Sequence, residues 1–233
     1  MTISLSDAGK RFNRDWIFRH FNYTFHKGSS YAIVGPNGSG KSTLLQIIGG
    51  AIGLSEGTIG VRRETADVSE ESSELRRETS DVRRQTSGPG TTSDNTENIY
   101  QYIAIAAPYL EVIEEMTVTE FLNFHQIFKP LLTALSIKEI IEVVGLQNAA
   151  DKQIRYYSSG MKQRVKLAQA IFSDAPVVLL DEPCTNLDST GIELYQKLIA
   201  DYCEQRMVIV SSNDEAEYGF CEQKINMNDY KKQ

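Results

Sequence analysis

The stretch GPNGSGKST at 35–43 decides the fold of this 233-residue chain. It fits the pattern G-x-x-x-x-G-K-[ST], follows the apolar run YAIV at 31–34, and precedes the helical-type segment STLLQIIGG at 42–50. A strand, a glycine-rich loop and a helix in this order are the context that a phosphate-binding loop requires. A glycine-rich turn without a ligand is the alternative, but such a match rarely arises by chance. The stretch therefore predicts a nucleotide-phosphate site.

The residue types in this loop suit phosphate binding. Its glycines allow backbone N–H groups to converge on phosphate oxygens without Cβ clashes, and the following helix directs its positive end at the same anion. We expect Lys41 to neutralise the β- and γ-phosphates and the Ser42 hydroxyl to bind Mg²⁺. The predicted nucleotide contacts of the loop are Gly35, Pro36, Asn37, Gly38, Ser39, Gly40, Lys41, Ser42 and Thr43.

An acidic pair follows the apolar run VVLLDEP at 177–183. Asp181 ends a strand that we expect to lie next to the phosphate-loop strand, where a carboxylate meets the Mg²⁺ shell. Glu182 points elsewhere and is the candidate to orient or deprotonate the attacking water. An acidic cap at a strand end is the alternative, and the phosphate loop makes it the weaker one.

The segment YSSGMKQR at 157–164 completes a set of motifs. With the phosphate loop, LLDEP and TNLD at 185–188, it resembles the ATP-binding-cassette (ABC) ATPases, whose signature is usually written LSGGQ. The motif order and spacing match over the whole chain except 61–98. The resemblance implies a single nucleotide-binding domain over 1–233, of α/β class. It would be a P-loop NTPase core of ABC ATPase type with an inserted helical subdomain and an N-terminal antiparallel β part.

The resemblance also assigns roles to the signature. The Ser158 hydroxyl and the Gly160 backbone N–H are expected to reach the γ-phosphate of an ATP held by the opposite subunit, with Ser159 between them. Two ATP molecules would thus lie between two domains. A core helix with a serine cap is the alternative for this segment. Asp188, at the end of TNLD, joins the predicted nucleotide contacts.

One aromatic residue near the N-terminus is expected to stack on adenine. Phe12, in GKRF, occupies the matching place, and Trp16 is its contender. A core position is the alternative for both side chains.

Two residues that the family normally carries are absent. Ala107-Pro108 replaces the Gln expected after the strand before the helical block, and Asn213 replaces the switch His after MVIVSS. An Asn amide can donate a hydrogen bond to the γ-phosphate but cannot become cationic. Asn213 is therefore a catalytic candidate beside Lys41 and Glu182, and the departures bear on hydrolysis rate rather than nucleotide affinity. The AAPY, SSGMKQ and Ser-Asn-Asp combination is similar to single-domain cassettes of a Bacteroidetes subgroup.

Residues 61–98 differ from the rest in composition. They contain no aromatic residue, Ile or Lys, yet hold six of the twelve arginines, and they repeat with a period of seven from RRETADV at 62–68. Each repeat offers one dependable apolar position, whereas a coiled coil needs two. We predict a mobile low-complexity insertion over 62–98, with a short exposed helix as the alternative. The remainder alternates strand and helix signals around a helical subdomain predicted at about 109–155.

Composition excludes several classes of protein. The net charge of −7 argues against a dedicated nucleic-acid binder, so no nucleic-acid partner is expected. The chain has no run of 18 apolar residues, and its N-terminus turns polar after five residues, unlike a signal peptide. Three cysteines without metal-ligand spacing indicate a reducing compartment.

The resemblance implies an ATP-binding and ATP-hydrolysing transporter subunit with ATP and Mg²⁺ as cofactors. It would form a homodimer or a heterodimer with another ABC ATPase domain, bind membrane permease subunits, and lie in the cytoplasm on the inner face of the cell membrane. A non-transport cassette, in DNA repair or regulation, is the alternative; a small-molecule kinase fits the motifs less well. The apolar side chains predicted either to contact a permease or to join the core are Tyr109, Leu110, Phe121 and Phe124.

Overall fold

The computed structural model describes residues 1–62, 93–94 and 96–231. The strands are β1 (Thr2–Phe12), β2 (Asp15–His26), β3 (Ser30–Val34), β4 (Glu56–Arg62), β5 (Ser93–Asp94), β6 (Ile103–Ala106), β7 (Val177–Asp181), β8 (Met207–Ser211) and β9 (Gln223–Asn226). The α-helices are α1 (Lys41–Ile48), α2 (Val118–Phe128), α3 (Ile137–Val143), α4 (Ser159–Ile171), α5 (Ser189–Tyr202) and α6 (Glu215–Tyr218). The predicted insertion at 62–98 lies almost entirely outside the described residues.

A parallel sheet with the strand order β6-β7-β8-β3-β9 forms the centre of the fold. Every residue of β7 and β8 is buried, as expected for parallel strands covered on both faces. Alternate residues of β7 enter different clusters: Val177 and Leu179 pack towards α1, whereas Val178 and Leu180 pack towards α4 and α5. The predicted α/β class is confirmed.

One expectation about this sheet is wrong. β7, which ends at Asp181, was expected to lie next to the phosphate-loop strand β3, but β8 lies between them and pairs with both. All three strands read as apolar runs, so their sequences do not specify the order. Because the strands are parallel, their carboxyl ends still meet at one edge of the sheet.

An antiparallel sheet with the order β2-β1-β4-β5 covers α1. This sheet is the N-terminal antiparallel β part that was predicted. The buried rings of Phe18, Phe21 and Phe25 point from β2 into a core shared with α1 and β3. Phe25 contacts Tyr31 of β3 edge to face, with ring centroids 4.9 Å apart. The aromatic contacts fix the β1–β2 hairpin over the phosphate-loop strand.

Two element boundaries differ from the sequence pattern. The run YQYIAIA at 100–106 has the pattern of a strand, but β6 begins only at Ile103, since a 3₁₀ helix occupies Thr96–Tyr102. The apolar residues of 119–144 recur with a helical period, but the segment divides into α2 and α3, because Pro130 forces Lys129 into an extended conformation. α2 and α3 then begin at capping boxes, Thr117 with Glu120 and Ser136 with Glu139.

The apolar residues of the helical block do not share one environment. Phe121 of α2 is only 5% exposed and belongs to the core, whereas Phe124, Ile127 and Phe128 on the same helix are exposed. Leu110 is half-buried. Among the helices of the described residues, none is long and apolar enough to cross a bilayer.

Candidate active site

The loop from β3 to α1 has the backbone that its glycines suggest. Gly35, Gly38 and Gly40 have φ values of 147°, 75° and 100°, a region that favours glycine. A Cβ on Gly40 would lie 2.6 Å from Cγ2 of Ile17, so the loop packs directly on β2. The N–H groups of the loop therefore stand at the start of α1, where the helix dipole favours an anion.

Lys41 lies inside this loop. Its Nζ donates a hydrogen bond to the carbonyl oxygen of Gly35 at 2.7 Å, and the residue is buried. Burial lowers the pKa of Lys41, while the nearby carboxylates of Glu182 and Asp181 raise it. The loop lysine and the acidic pair thus share one electrostatic environment.

Asp181 carries an unpartnered oxygen at the end of β7. The residue is 3% exposed, and its Oδ1 is buried without a hydrogen-bond partner among the described residues. The hydroxyls of Ser39 and Ser211 are unpartnered in the same way. Because an unsatisfied buried polar atom is costly, these atoms point to a ligand at the edge of the sheet.

The residues present fit a magnesium ion. A carboxylate of Asp181 and the hydroxyl of the half-buried Ser42 are the hard oxygen ligands that Mg²⁺ prefers. In the part of the chain that the structure describes, no group of three His, Cys, Asp or Glu side chains could hold a metal.

Glu182 has a strained backbone. Its φ is 43°, a left-handed value that is uncommon outside glycine, and its N–H donates to the carbonyl oxygen of Ser211 at 2.9 Å. The residue is exposed, unlike the buried Asp181 before it. Backbone strain of this kind clusters at functional sites.

Asn213 contacts the phosphate loop directly. Its Oδ1 accepts a hydrogen bond from the N–H of Gly35, and its Nδ2 donates to Oδ1 of Asn37, both at 3.2 Å. The position that follows β8 therefore lies against the loop that follows β3. The sequence predicted a γ-phosphate contact here but not these bonds within the protein.

The signature segment begins α4. Ser158 is the N-cap, and its Oγ accepts from the N–H of Met161 at 3.3 Å. A Cβ on Gly160 would lie 3.0 Å from the carbonyl oxygen of Asn186, so α4 approaches the TNLD loop closely. No hydrogen bond or ion pair among the described residues joins Ser158, Ser159 or Gly160 to the phosphate loop of the same chain.

Asp188 caps α5. Its Oδ1 accepts from the N–H of Gly191 at 2.8 Å and from the hydroxyl of Thr190 at 2.9 Å. The hydrogen bond from the Gly191 backbone is the main cause that lowers the pKa of Asp188. The residue thus has a local structural role, and its contact with a nucleotide stays a prediction.

The two candidates for adenine stacking differ in their neighbours. Phe12 is exposed at the end of β1, with Nζ of Lys10 at 5.1 Å from its ring centroid. Trp16 has two guanidinium neighbours, Arg11 at 5.4 Å and Arg19 at 4.3 Å from its ring. Cation–π contacts thus engage Trp16 more fully than Phe12, which favours Phe12 as the available ring.

Around Ala107-Pro108, sequence reasoning missed Lys166 and considered Tyr109 only as a permease contact or a core residue. Lys166 of α4 donates from Nζ to the carbonyl oxygens of Pro108 at 3.1 Å and Ala107 at 3.4 Å. Tyr109 follows, and the pKa of its hydroxyl is raised by burial and by the Asp181 carboxylate. The sequence did offer one signal for these residues, because the absence of the expected Gln marks this segment as unusual.

Glu217 of α6 was also missed. It is buried, and its Oε1 accepts a hydrogen bond from the N–H of Cys184 at 2.7 Å. Burial raises the pKa of Glu217, and a hydrogen bond with Ser212 partly opposes that shift. The carboxyl group links the segment after Asp181 to the segment that carries Asn213. No local motif marks it in the sequence.

Comparisons with known proteins agree with this geometry. The family model of ABC transporters matches residues 18–185. The uncharacterized ABC transporter ATP-binding protein YybJ of Bacillus subtilis strain 168 is 27% identical over 228 residues, which cover 97% of this chain and 92% of YybJ.

Solved structures show the same fold. A putative ABC transporter ATP-binding protein from Pyrococcus furiosus aligns with a TM-score of 0.75 at 19% identity, over 100% of both chains. A dimeric ATP-binding cassette in a post-hydrolysis state with ADP and phosphate aligns with a TM-score of 0.72 at 22% identity, over 96% of this chain and 93% of that one. These likenesses confirm the predicted core of ABC ATPase type.

Proposed function

The chain belongs to the ABC transporter family, and from this membership we propose that it binds and hydrolyses ATP as the nucleotide-binding subunit of a membrane transporter. One observation carries the proposal: Lys41, Asp181, Glu182 and Asn213 meet at a single edge of the parallel sheet. That edge is where ligands bind in open α/β sheets.

In this proposal the loop 35–43 binds the phosphates of ATP. Lys41 supplies the positive charge, and the loop N–H groups and the start of α1 supply donors. Asn213 accepts one hydrogen bond from the loop and donates another to it, which supports a second role for its amide, namely to hold the loop and the γ-phosphate together. Phe12 stacks on adenine.

Ser42 and Asp181 would hold Mg²⁺. Bound there, the ion would neutralise phosphate charge as a Lewis acid. The unpartnered Oδ1 of Asp181 supports this assignment, since a cation satisfies a buried carboxylate.

Glu182 orients the attacking water and accepts its proton. The exposed carboxylate one residue beyond the buried Asp181 supports this role, because it is open to water while it remains beside Lys41. Asn213 positions the γ-phosphate as a neutral donor and takes no proton, since an amide does not titrate.

Residues Ser158, Ser159, Gly160 and Asp188 contact the ATP of a second cassette, identical to this chain or different from it. Both serines are exposed at the N-terminus of α4. The Ser158 Oγ accepts the cap bond from Met161, which leaves its O–H free to donate to a phosphate.

The helical subdomain at about 109–155 binds the permease and keeps the subunit at the cytoplasmic face of the membrane. An exposed aromatic and aliphatic surface of α2 supports this assignment: Phe124, Ile127 and Phe128 lie together, with the rings of Phe124 and Phe128 5.1 Å apart. Exposed apolar patches of this kind mark interaction sites.

Lys41→Ala tests the proposed site. We expect the variant to lose ATP binding, measured by calorimetry, and to retain its circular-dichroism spectrum, because the loop charge serves the phosphates. Lys197→Ala is the matched control, since Lys197 is exposed on α5 and is not one of the proposed site residues. Full ATP binding and hydrolysis by Lys41→Ala would overturn the proposal.

Co-purification of a multi-spanning membrane protein tests the transport role.

A further inference from the structure

One peptide group, directly after the proposed base, lies between two buried side chains. The carbonyl oxygen of Pro183 accepts a hydrogen bond from Nε2 of Gln163 on α4 at 2.7 Å. The N–H of Cys184, in the same peptide group, donates to Oε1 of Glu217 on α6, also at 2.7 Å. Both polar ends of this group are therefore bonded, and a rotation of its plane would break two buried hydrogen bonds at once.

Burial makes this arrangement costly to disturb. Gln163 and Glu217 are only 3% and 5% exposed, so a polar group that loses its partner here has no water to replace it. The position of α6 is fixed in turn, because the hydroxyl of the buried Tyr195 on α5 donates to the Glu217 carbonyl oxygen at 2.8 Å. α4 contributes Val165 and Leu167 to the same core. Each side chain therefore reaches the peptide group from a helix that is itself held in the core.

The same contacts determine the direction of the Glu182 side chain. Glu182 is exposed and has a left-handed φ of 43°. Its N–H donates to the Ser211 carbonyl oxygen at 2.9 Å, and its own carbonyl oxygen accepts from the N–H of Thr185 at 3.1 Å. β8 thus holds the residue on its N-terminal side, whereas Gln163 and Glu217 hold the turn on its C-terminal side. A strained backbone persists only where surrounding contacts fix it in this way.

Glu217 also joins this turn to the segment that carries Asn213. α6 begins at Glu215, two residues after Asn213, and Oδ1 of its N-cap Asp214 accepts from the N–H of Ala216 at 3.0 Å. One side-chain bond from α6 therefore connects the turn of the proposed base with the segment of the proposed γ-phosphate donor. That bond requires only an acceptor oxygen, which a carboxylate, a carboxyl group and an amide all provide.

We propose that Gln163 and Glu217 are positioning residues, which hold this peptide group from two sides and thereby orient the carboxylate of Glu182 towards the attacking water. Gln163 acts as a donor and Glu217 as an acceptor. In this role neither side chain contacts ATP, and no proton moves to or from either one. The inference rests on the proposed role of Glu182 in ATP hydrolysis.

Phosphate release by the full chain, together with ATP affinity from calorimetry, tests the inference. Glu217→Leu removes the acceptor and is expected to lower kcat about tenfold with KM and ATP affinity nearly unchanged, since displacing a catalytic group by 1 Å can cost about a hundredfold in rate. Glu217→Gln keeps an acceptor oxygen and is expected to retain a kcat close to that of the wild type.

A second variant tests the other side of the peptide group. Gln163→Met keeps the length of the side chain without its donor and is expected to lower kcat as Glu217→Leu does, so it carries the test where Glu217→Leu does not fold. Ser173→Ala is the matched control. It removes a buried bond of similar kind, from Oγ of Ser173 to the Gln169 carbonyl oxygen at 2.6 Å, and is expected to leave kcat unchanged.

Combination with Glu182→Gln separates positioning from a general loss of structure. Because the two residues act only through the Glu182 carboxylate, Glu217→Leu should slow the Glu182→Gln protein no further, whereas a structural defect would lower both rates by the same factor. Equal losses in the two backgrounds would overturn the inference. Wild-type kcat in Gln163→Met, or a Glu217→Gln protein as slow as Glu217→Leu, would do so too. A wild-type protein that binds no ATP, or wild-type turnover in Glu182→Gln, would instead overturn the proposed function.

Discussion

Replacing Glu182 by Gln is expected to slow hydrolysis strongly without changing the fold. The backbone N–H of residue 182 keeps its bond to the Ser211 carbonyl oxygen in the variant. The φ of 43° is equally unfavourable for Glu and for Gln at this position. Because Glu182 is exposed, we expect the free energy of unfolding to change by less than about 0.5 kcal/mol. Any loss of turnover therefore reports on chemistry.

The expected magnitude follows from the role and the exposure of the carboxylate. Loss of a general base costs about 10²- to 10⁴-fold in rate. ATP binding should tighten, because a negative charge facing the γ-phosphate is removed. Because the charge is exposed, its repulsion of the phosphate is screened as it would be in water and amounts to about 1 kcal/mol at a separation of roughly 4 Å. Removing this repulsion should increase the affinity for ATP about fivefold.

Phosphate release, calorimetry and size-exclusion chromatography with ATP and Mg²⁺ measure these effects. We expect Glu182→Gln to bind ATP, to release phosphate slowly and to elute as a dimer only when ATP is present. Glu193→Gln, at an exposed residue of α5, is the matched control. Wild-type turnover in Glu182→Gln, or the absence of an ATP-dependent dimer, would refute the mechanism.

Three further outcomes are expected. Asn213→Ala should slow phosphate release less than Glu182→Gln does, because it removes two neutral hydrogen bonds to the loop, each worth about 1 kcal/mol. Glu217→Gln should raise the free energy of unfolding relative to wild type, and this difference should grow as pH rises from about 4 to 8 in urea titrations. Because the pKa of Glu217 is raised in the folded protein, the wild type loses stability as its buried carboxyl ionises. Replacing 63–92 by an Asn-Gly turn should leave the melting temperature and ATP binding nearly unchanged, since Arg62 already pairs with Ser93; a large fall in melting temperature would contradict this.

The backbone conformation of the motif segments could be predicted from the sequence because it depends on local geometry. The glycines of 35–43 specify positive φ values, and the structure has them at three positions. A serine at the start of a helical pattern favours an N-cap, and Ser158 caps α4. The helical period of 119–144 does not show where α2 ends, although Pro130 in the sequence was a sufficient signal. A local backbone conformation can be predicted from the sequence when that conformation requires a particular residue type.

The remaining features depend on contacts between distant segments. β7 and β3 have similar apolar sequences, so nothing in them places β8 between the two. The bond between Glu217 and the Cys184 N–H joins residues 33 positions apart. A lone Glu on a short helix reads as a solvated surface residue unless its burial is known.

The same long-range contacts explain how the strain at Glu182 persists. A left-handed backbone at a non-glycine residue costs about 1–3 kcal/mol and survives only when its surroundings over-determine it. Here three elements hold the turn: β8 accepts the Glu182 N–H, Gln163 of α4 donates to the Pro183 carbonyl oxygen at 2.7 Å, and Glu217 of α6 accepts the Cys184 N–H. Because α4 begins with the exposed signature serines, the helix proposed to contact a second nucleotide is bonded directly to the turn that carries the proposed base.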